Sequence, residues 1–117
     1  MMIIYNNFNY SNFIEDNDSR IFFNRKELDL ILRLYGRFVA AGEWRDYGIS
    51  MLKTVCIFSI YKRSAECPIY IIEKKPELSK KTGMYSVVGM DGRILKRGND
   101  LYSVLNIFNS KLLKVVK

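Results

Sequence analysis

A chain of 117 residues, 49% hydrophobic and 14% aromatic, has room for one domain with a real core and excludes both a disordered tail and a two-domain protein. It contains no histidine and only two cysteines, Cys56 and Cys67, which leaves no disulfide scaffold, no zinc motif and no catalytic pair built on histidine. The formal charge of +7 is one-sided: residues 1–73 carry nine Lys/Arg and nine Asp/Glu, whereas residues 74–117 carry ten Lys/Arg against Glu77, Asp91 and Asp100.

Residues 1–20 read as a flexible arm and residues 21–117 as a single α+β domain. The arm holds an acidic cluster (Glu15, Asp16, Asp18) and shows no sustained period, although Ile3, Ile4, Tyr5, Phe8 and Phe13 give it apolar groups that can dock. It lacks the basic flank of a signal peptide. No apolar run reaches the roughly 20 residues that cross a bilayer. A reduced, cytoplasmic setting with no membrane partner is expected.

Order begins near Ile21. Asn24 followed by Glu27 has the form of a capping box. Leu28, Ile31, Leu32, Tyr35, Phe38 and Val39 then recur with helical spacing to about Ala41, and Gly42 supplies the stop. Gly36, inside this helix, suggests a close backbone approach by a neighbour.

From Trp44 the period changes to two. Trp44–Met51, Val55–Tyr61, Ile69–Lys74, Tyr85–Gly89 and Arg93–Arg97 are β-branched or aromatic runs separated by turn residues. Asp91-Gly92 signals a hairpin with a type I′ turn, and Pro76 to Gly83 is a Lys-rich connection with space for a helical turn. After Gly98, Asn99 or Asp100 caps a second helix with the stripe Leu101, Val104, Leu105 and Phe108. It either runs on to Lys117 or breaks at Asn109-Ser110.

The expected fold is therefore α+β: an N-terminal helix, a four- or five-stranded antiparallel meander, and a C-terminal helix. Val55, Ile57 and Tyr61 oppose Cys56, Phe58 and Ile60, so the sheet is apolar on both faces. Either the helices cover opposite faces or a second copy covers one of them, and a homodimer is expected.

The run Leu-Tyr-Gly-Arg-Phe-Val-Ala-Ala-Gly-Glu-Trp-Arg-Asp-Tyr (Leu34 to Tyr47) resembles the hallmark of a family of small alphaproteobacterial proteins known as a domain of unknown function. The resemblance continues through Pro68 to Pro76, Tyr85 to Val88 and Ile94 to Gly98, and spans about Arg25 to Phe108. It implies a bacterial, cytoplasmic, single-domain protein and brings no activity, cofactor or partner.

Chemistry-bearing groups are sparse, and no enzyme and no cofactor are expected. Glu43, Arg45, Asp46 and Tyr47 could pair two carboxylates with an anion-binding arginine; more plainly, Trp44 seals the helix–sheet junction and its charged neighbours pair locally. The glycines at 89, 92 and 98 match no nucleotide-binding loop. Gly98 before a capped helix could still aim amide groups at a phosphate. Cys56 lies in an apolar strand, where a thiol is inert, and Cys67 in a turn is the more reactive of the two.

The sharper expectation is a non-catalytic nucleic-acid or polyanion-binding patch made of Lys74, Lys75, Lys80, Lys81, Arg93, Lys96 and Arg97, extended by Lys62 and Arg63. Tyr61, Tyr70 and Tyr85 are candidate stacking platforms if they face solvent. Against this stands a solvated lysine face of the kind an AT-rich coding sequence produces, with the tyrosines in the core. The alternative function is a homodimeric assembly module that docks an acidic protein.

Overall fold

A computed structural model describes residues 19–63 and 67–116, with side chains as far as Lys111. The arm expected over residues 1–20 lies outside them except for its last two residues. The elements run α1 (Arg25–Ala40), β1 (Asp46–Met51), β2 (Cys56–Tyr61), β3 (Tyr70–Lys74), a 3-10 turn (Pro76–Leu78), β4 (Tyr85–Gly89), β5 (Ile94–Gly98), α2 (Leu101–Leu105) and α3 (Ile107–Val116). The expected α+β fold is present: an N-terminal helix, an antiparallel meander of five strands in the order β1-β2-β3-β4-β5, and C-terminal helices.

Helix α1 starts at a complete capping box. The Glu27 amide donates to the Asn24 side chain (2.9 Å) and the Asn24 amide donates to Oε1 of Glu27 (2.7 Å). At the other end Gly42 takes a φ of 79°, which suits glycine, and the amides of Glu43 and Trp44 both return to the Phe38 carbonyl. Those two bonds keep Trp44 out of the sheet, so β1 begins two residues later than its apolar run. The Trp44 ring instead stacks on Phe38, with centroids 4.2 Å apart and planes at 12°. Outside its own helix, Gly36 has no neighbour among the described residues within 4 Å of where its Cβ would be, so the expected close approach is not found among them.

Directly opposed residues of an antiparallel sheet share a face. One face therefore carries Tyr47 and Ile49, then Cys56, Phe58 and Ile60, then Tyr70 and Ile72, then Tyr85 and Val87. These meet Ile31, Leu34 and Phe38 of α1, Leu101, Val104 and Leu105 of α2, and Phe108 of α3 in one continuous core. The N-terminal and C-terminal helices thus cover the same face. The opposite-face arrangement considered from sequence does not occur.

The C-terminal helix breaks at Asn106, earlier than the break considered at Asn109-Ser110. The Asn106 amide is shared between the Tyr102 and Ser103 carbonyls, and the Asn109 amide turns back to the Asn106 carbonyl. The bend lets Phe108, fully buried, set its ring edge-on against Phe38, Trp44 and Tyr70 at 6.0, 5.4 and 5.0 Å. The β4–β5 hairpin also differs in detail. The Gly92 amide bonds the Gly89 carbonyl (3.0 Å) and the Gly89 amide bonds the Arg93 carbonyl (2.9 Å), so the turn centres on Met90-Asp91 with Gly92 following at a φ of 86°. That is a three-residue loop in place of the expected two-residue type I′ turn.

Candidate polyanion-binding corner

The basic residues of the second half are brought together by the β3–β4 connection. Past Lys75 the chain makes the 3-10 turn at Pro76–Leu78, and the Lys81 and Gly83 amides return to the Leu78 carbonyl at 3.0 and 2.9 Å. This coil is pinned to the end of β5. The Asn99 side chain donates to the Ser79 carbonyl (2.8 Å) and accepts from the Met84 amide (2.8 Å). Gly83, at a φ of 121°, lies so close to Gly98 that a Cβ there would meet the Gly98 Cα at 2.7 Å. Lys80 and Lys81 thereby share one corner of the sheet with Lys96 and Arg97.

The seven expected cations divide by environment. Lys80, Lys81 and Lys96 are exposed and form no ion pair among the described residues. Arg97 is half-buried and, opposed to Ser86 where Lys96 is opposed to Val87, emerges on the other face of the sheet from Lys96; its Nη1 donates to Oγ1 of Thr82 at 3.4 Å. Lys75 is drawn towards Glu73, 3.7 Å away. Arg93 sits at the opposite end of β5, roughly 13 Å along the strand at about 3.3 Å per residue, and is 3.7 Å from Asp91. Lys74 points the other way, into the protein, where its ammonium bonds Oε1 of Glu27 (2.8 Å) and the Phe22 carbonyl (2.9 Å).

The three tyrosines do not gather at this corner. Tyr85 is buried, and its hydroxyl donates to Oε2 of Glu27. Burial is the first cause, and the bond to Glu27 the second, of a phenol pK held far above its ordinary value. Tyr70 packs on Phe108 and Trp44, with the Lys111 ammonium 5.8 Å from its ring centre. Tyr61, half-buried, ends β2 opposite Asp46, at the far end of the sheet. An aromatic passed over from sequence, Tyr102, is 61% exposed one residue into α2, the helix that follows β5 after Asn99 and Asp100. It stands just off the apolar stripe, and that offset was the available signal.

Other candidates are accounted for by packing. The start of α2 holds Asp100, whose carboxylate accepts from the Ser103 amide (3.2 Å) and hydroxyl (2.7 Å), so a carboxylate fills the place expected for a phosphate. Of the group at 43–47, Glu43 lies 4.0 Å from Lys62, Asp46 accepts from the Tyr47 amide at 2.9 Å, and Tyr47 stacks on Phe58 at 4.9 Å. Cys56 is buried, which pushes its thiol up to about 11, while Cys67 is exposed.

Among the described residues no helix is long and apolar enough to cross a membrane. No curated protein and no solved structure matches the chain. The family described as Protein of unknown function (DUF2794) matches residues 21–105, a stretch that begins where α1 is anchored and ends with α2. The chain belongs to that family.

Proposed function

We propose that the chain is a non-catalytic, cytoplasmic nucleic-acid-binding module whose contact surface is the corner formed by the β3–β4 connection and β5. One observation carries this: Lys80, Lys81 and Lys96, on two segments that the Asn99 bonds and the Gly83–Gly98 approach hold at one end of the sheet, are each exposed and have no acidic partner among the described residues. Such groups bind phosphates through counterion release, without reading sequence. Tyr102, exposed on the helix after β5, is the aromatic available for stacking on an unpaired base.

The test is a fluorescent single-stranded oligonucleotide titrated at several salt concentrations. With three to four phosphate contacts, the log of the affinity falls against the log of salt with a slope of about −2 to −3. Charge reversal at Lys80, Lys81 and Lys96 removes binding, and Tyr102→Ala weakens it without changing the slope. Absence of binding at low salt overturns the proposal. Equal binding of poly-glutamate replaces it with docking of an acidic protein.

A further inference from the structure

The second face of the sheet carries an apolar stripe, and among the described residues no helix lies on it. The register places two rows there. One runs Gly48, Ser59, Ile71, Val88, Ile94, and the next runs Ser50, Ile57, Glu73, Ser86, Arg97. None of Ile57, Ile71, Val88 or Ile94 joins the core on the other face. Ile94 is 47% exposed, and Met90, in the turn after β4, is 67% exposed. A one-sided antiparallel sheet in water presents mostly polar residues on its outer face, and this one presents a β-branched stripe.

The polar row indicates the occupant. Glu73 and Arg97 lie on either side of Ser86, which is 2% exposed between them and donates to Oε1 of Glu73 at 3.3 Å. Neither charge is fully satisfied among the described residues. Glu73 has Lys75 at 3.7 Å, and the Arg97 Nε is buried with no hydrogen-bond partner among them. A two-fold axis lying over β4 and parallel to it maps β3 onto β5 of a second copy. It brings Glu73 against Arg97 of the other copy and Arg97 against its Glu73, while Ile71 meets Ile94 and Val88 meets itself. The face is complementary to its own image in both charge and apolarity, as a two-fold interface requires.

We infer that the chain self-associates through this open face as a symmetric dimer, with β4 on the axis and reciprocal Glu73–Arg97 pairs. The full overlap is three strands wide, so the dimer is a weak one and is sought at high concentration. The polyanion-binding corner contributes only Arg97 to this surface.

The experiment is sedimentation equilibrium of the full chain, free of nucleic acid, at up to about 100 µM, a range in which a weak dimer is populated. The expected average mass rises with concentration from 13.8 kDa towards twice that value. Glu73→Arg alone and Arg97→Glu alone set like charges face to face, and each raises the dissociation constant at least about tenfold. The double variant Glu73→Arg/Arg97→Glu restores association, which a general loss of folding cannot do. Val88→Asp gives a monomer with an unchanged circular dichroism spectrum. A monomeric wild type, a dimer insensitive to both single reversals, or a double variant no better than the singles overturns the inference. So does a monomer whose Ile71 and Val88 methyl groups show nuclear Overhauser contacts to Phe8 or Phe13, because the chain's own N-terminal residues would then cover the face.

Discussion

Lys74 and Glu27, 47 residues apart in the chain, form an ion pair of 2.8 Å that fastens the start of helix α1 to the end of β3. Their side chains are only 14% and 10% exposed. Glu27 is also half of the capping box and accepts the Tyr85 hydroxyl. One carboxylate therefore closes the helix N-terminus and joins it to two strands. Burying a charge in this way is tolerable because every partner is in place.

Removing one partner exposes that dependence. Lys74→Met leaves a buried carboxylate without its cation and lowers stability by about 3 kcal/mol, in the range for a broken buried pair. Glu27→Gln/Lys74→Met together cost less than the sum of the singles, because the second change removes the orphaned charge. Urea unfolding of the four species in a double-mutant cycle measures the difference.

Acid unfolding should follow the same carboxylate. Burial raises the Glu27 carboxyl, but hydrogen bonds from Lys74, Tyr85 and the Asn24 amide, with the Lys74 charge, outweigh it and hold the group below its ordinary value of 4.5. The unfolded chain then binds the proton more readily than the folded one. The stabilisation is present above the ordinary value and is lost as pH falls through the folded one. Urea midpoints measured between neutral and acid pH should drop below about pH 4.5 in the wild type, and Glu27→Gln should flatten that drop.

The two thiols should separate cleanly. Cys67 is exposed and reacts with a disulfide reagent at mildly alkaline pH in the folded protein, whereas Cys56 reacts only after denaturant is added. Because the Cys56 thiol is raised to about 11 by burial, folding loses stability as pH climbs above the ordinary value of 9.0 and through the folded one. Cys56→Ala removes that share of the alkaline slope; thiol counting and alkaline urea titrations read both effects.

Gly83→Ala tests the corner. The residue has a φ of 121° and backbone of Gly98 within 2.7 Å of the new Cβ, so the substitution is strained in both respects. It should cost at least about 1–3 kcal/mol, the range for a residue held in an unfavourable backbone region. If the connection loosens before the core does, amide exchange quickens first at Lys81 and Met84, whose bonds to Leu78 and Asn99 hold the coil.

What the chain reveals without coordinates is what is encoded locally. Asn24 and Glu27 announce the helix start three residues apart, and the alternation of Cys56, Phe58 and Ile60 against Ile57 and Tyr61 announces a strand. The meander follows because each strand pairs with its sequence neighbour. Long-range choices were not legible. Lys74 stands in a run of lysines and reads as surface, although its parity with Ile72 already placed it on the core face. Tyr85 reads as a stacking group because nothing near it in sequence supplies the carboxylate its hydroxyl binds. Which face each helix covers, and hence which apolar face stays open, depends on how Phe108 reaches Trp44 and Phe38 across the chain.

The anchoring of α1 also has a consequence for synthesis. The two groups that secure Glu27 lie 47 and 58 residues downstream of it. On the ribosome the helix is made long before either of them emerges, and an isolated helix of 16 residues is marginal in water. Its apolar stripe must therefore wait, exposed, until β3 and β4 have left the exit tunnel. During elongation the chain is most vulnerable in that interval, and substitutions in α1 that raise its own helicity should improve the yield of native protein more than they raise its final stability.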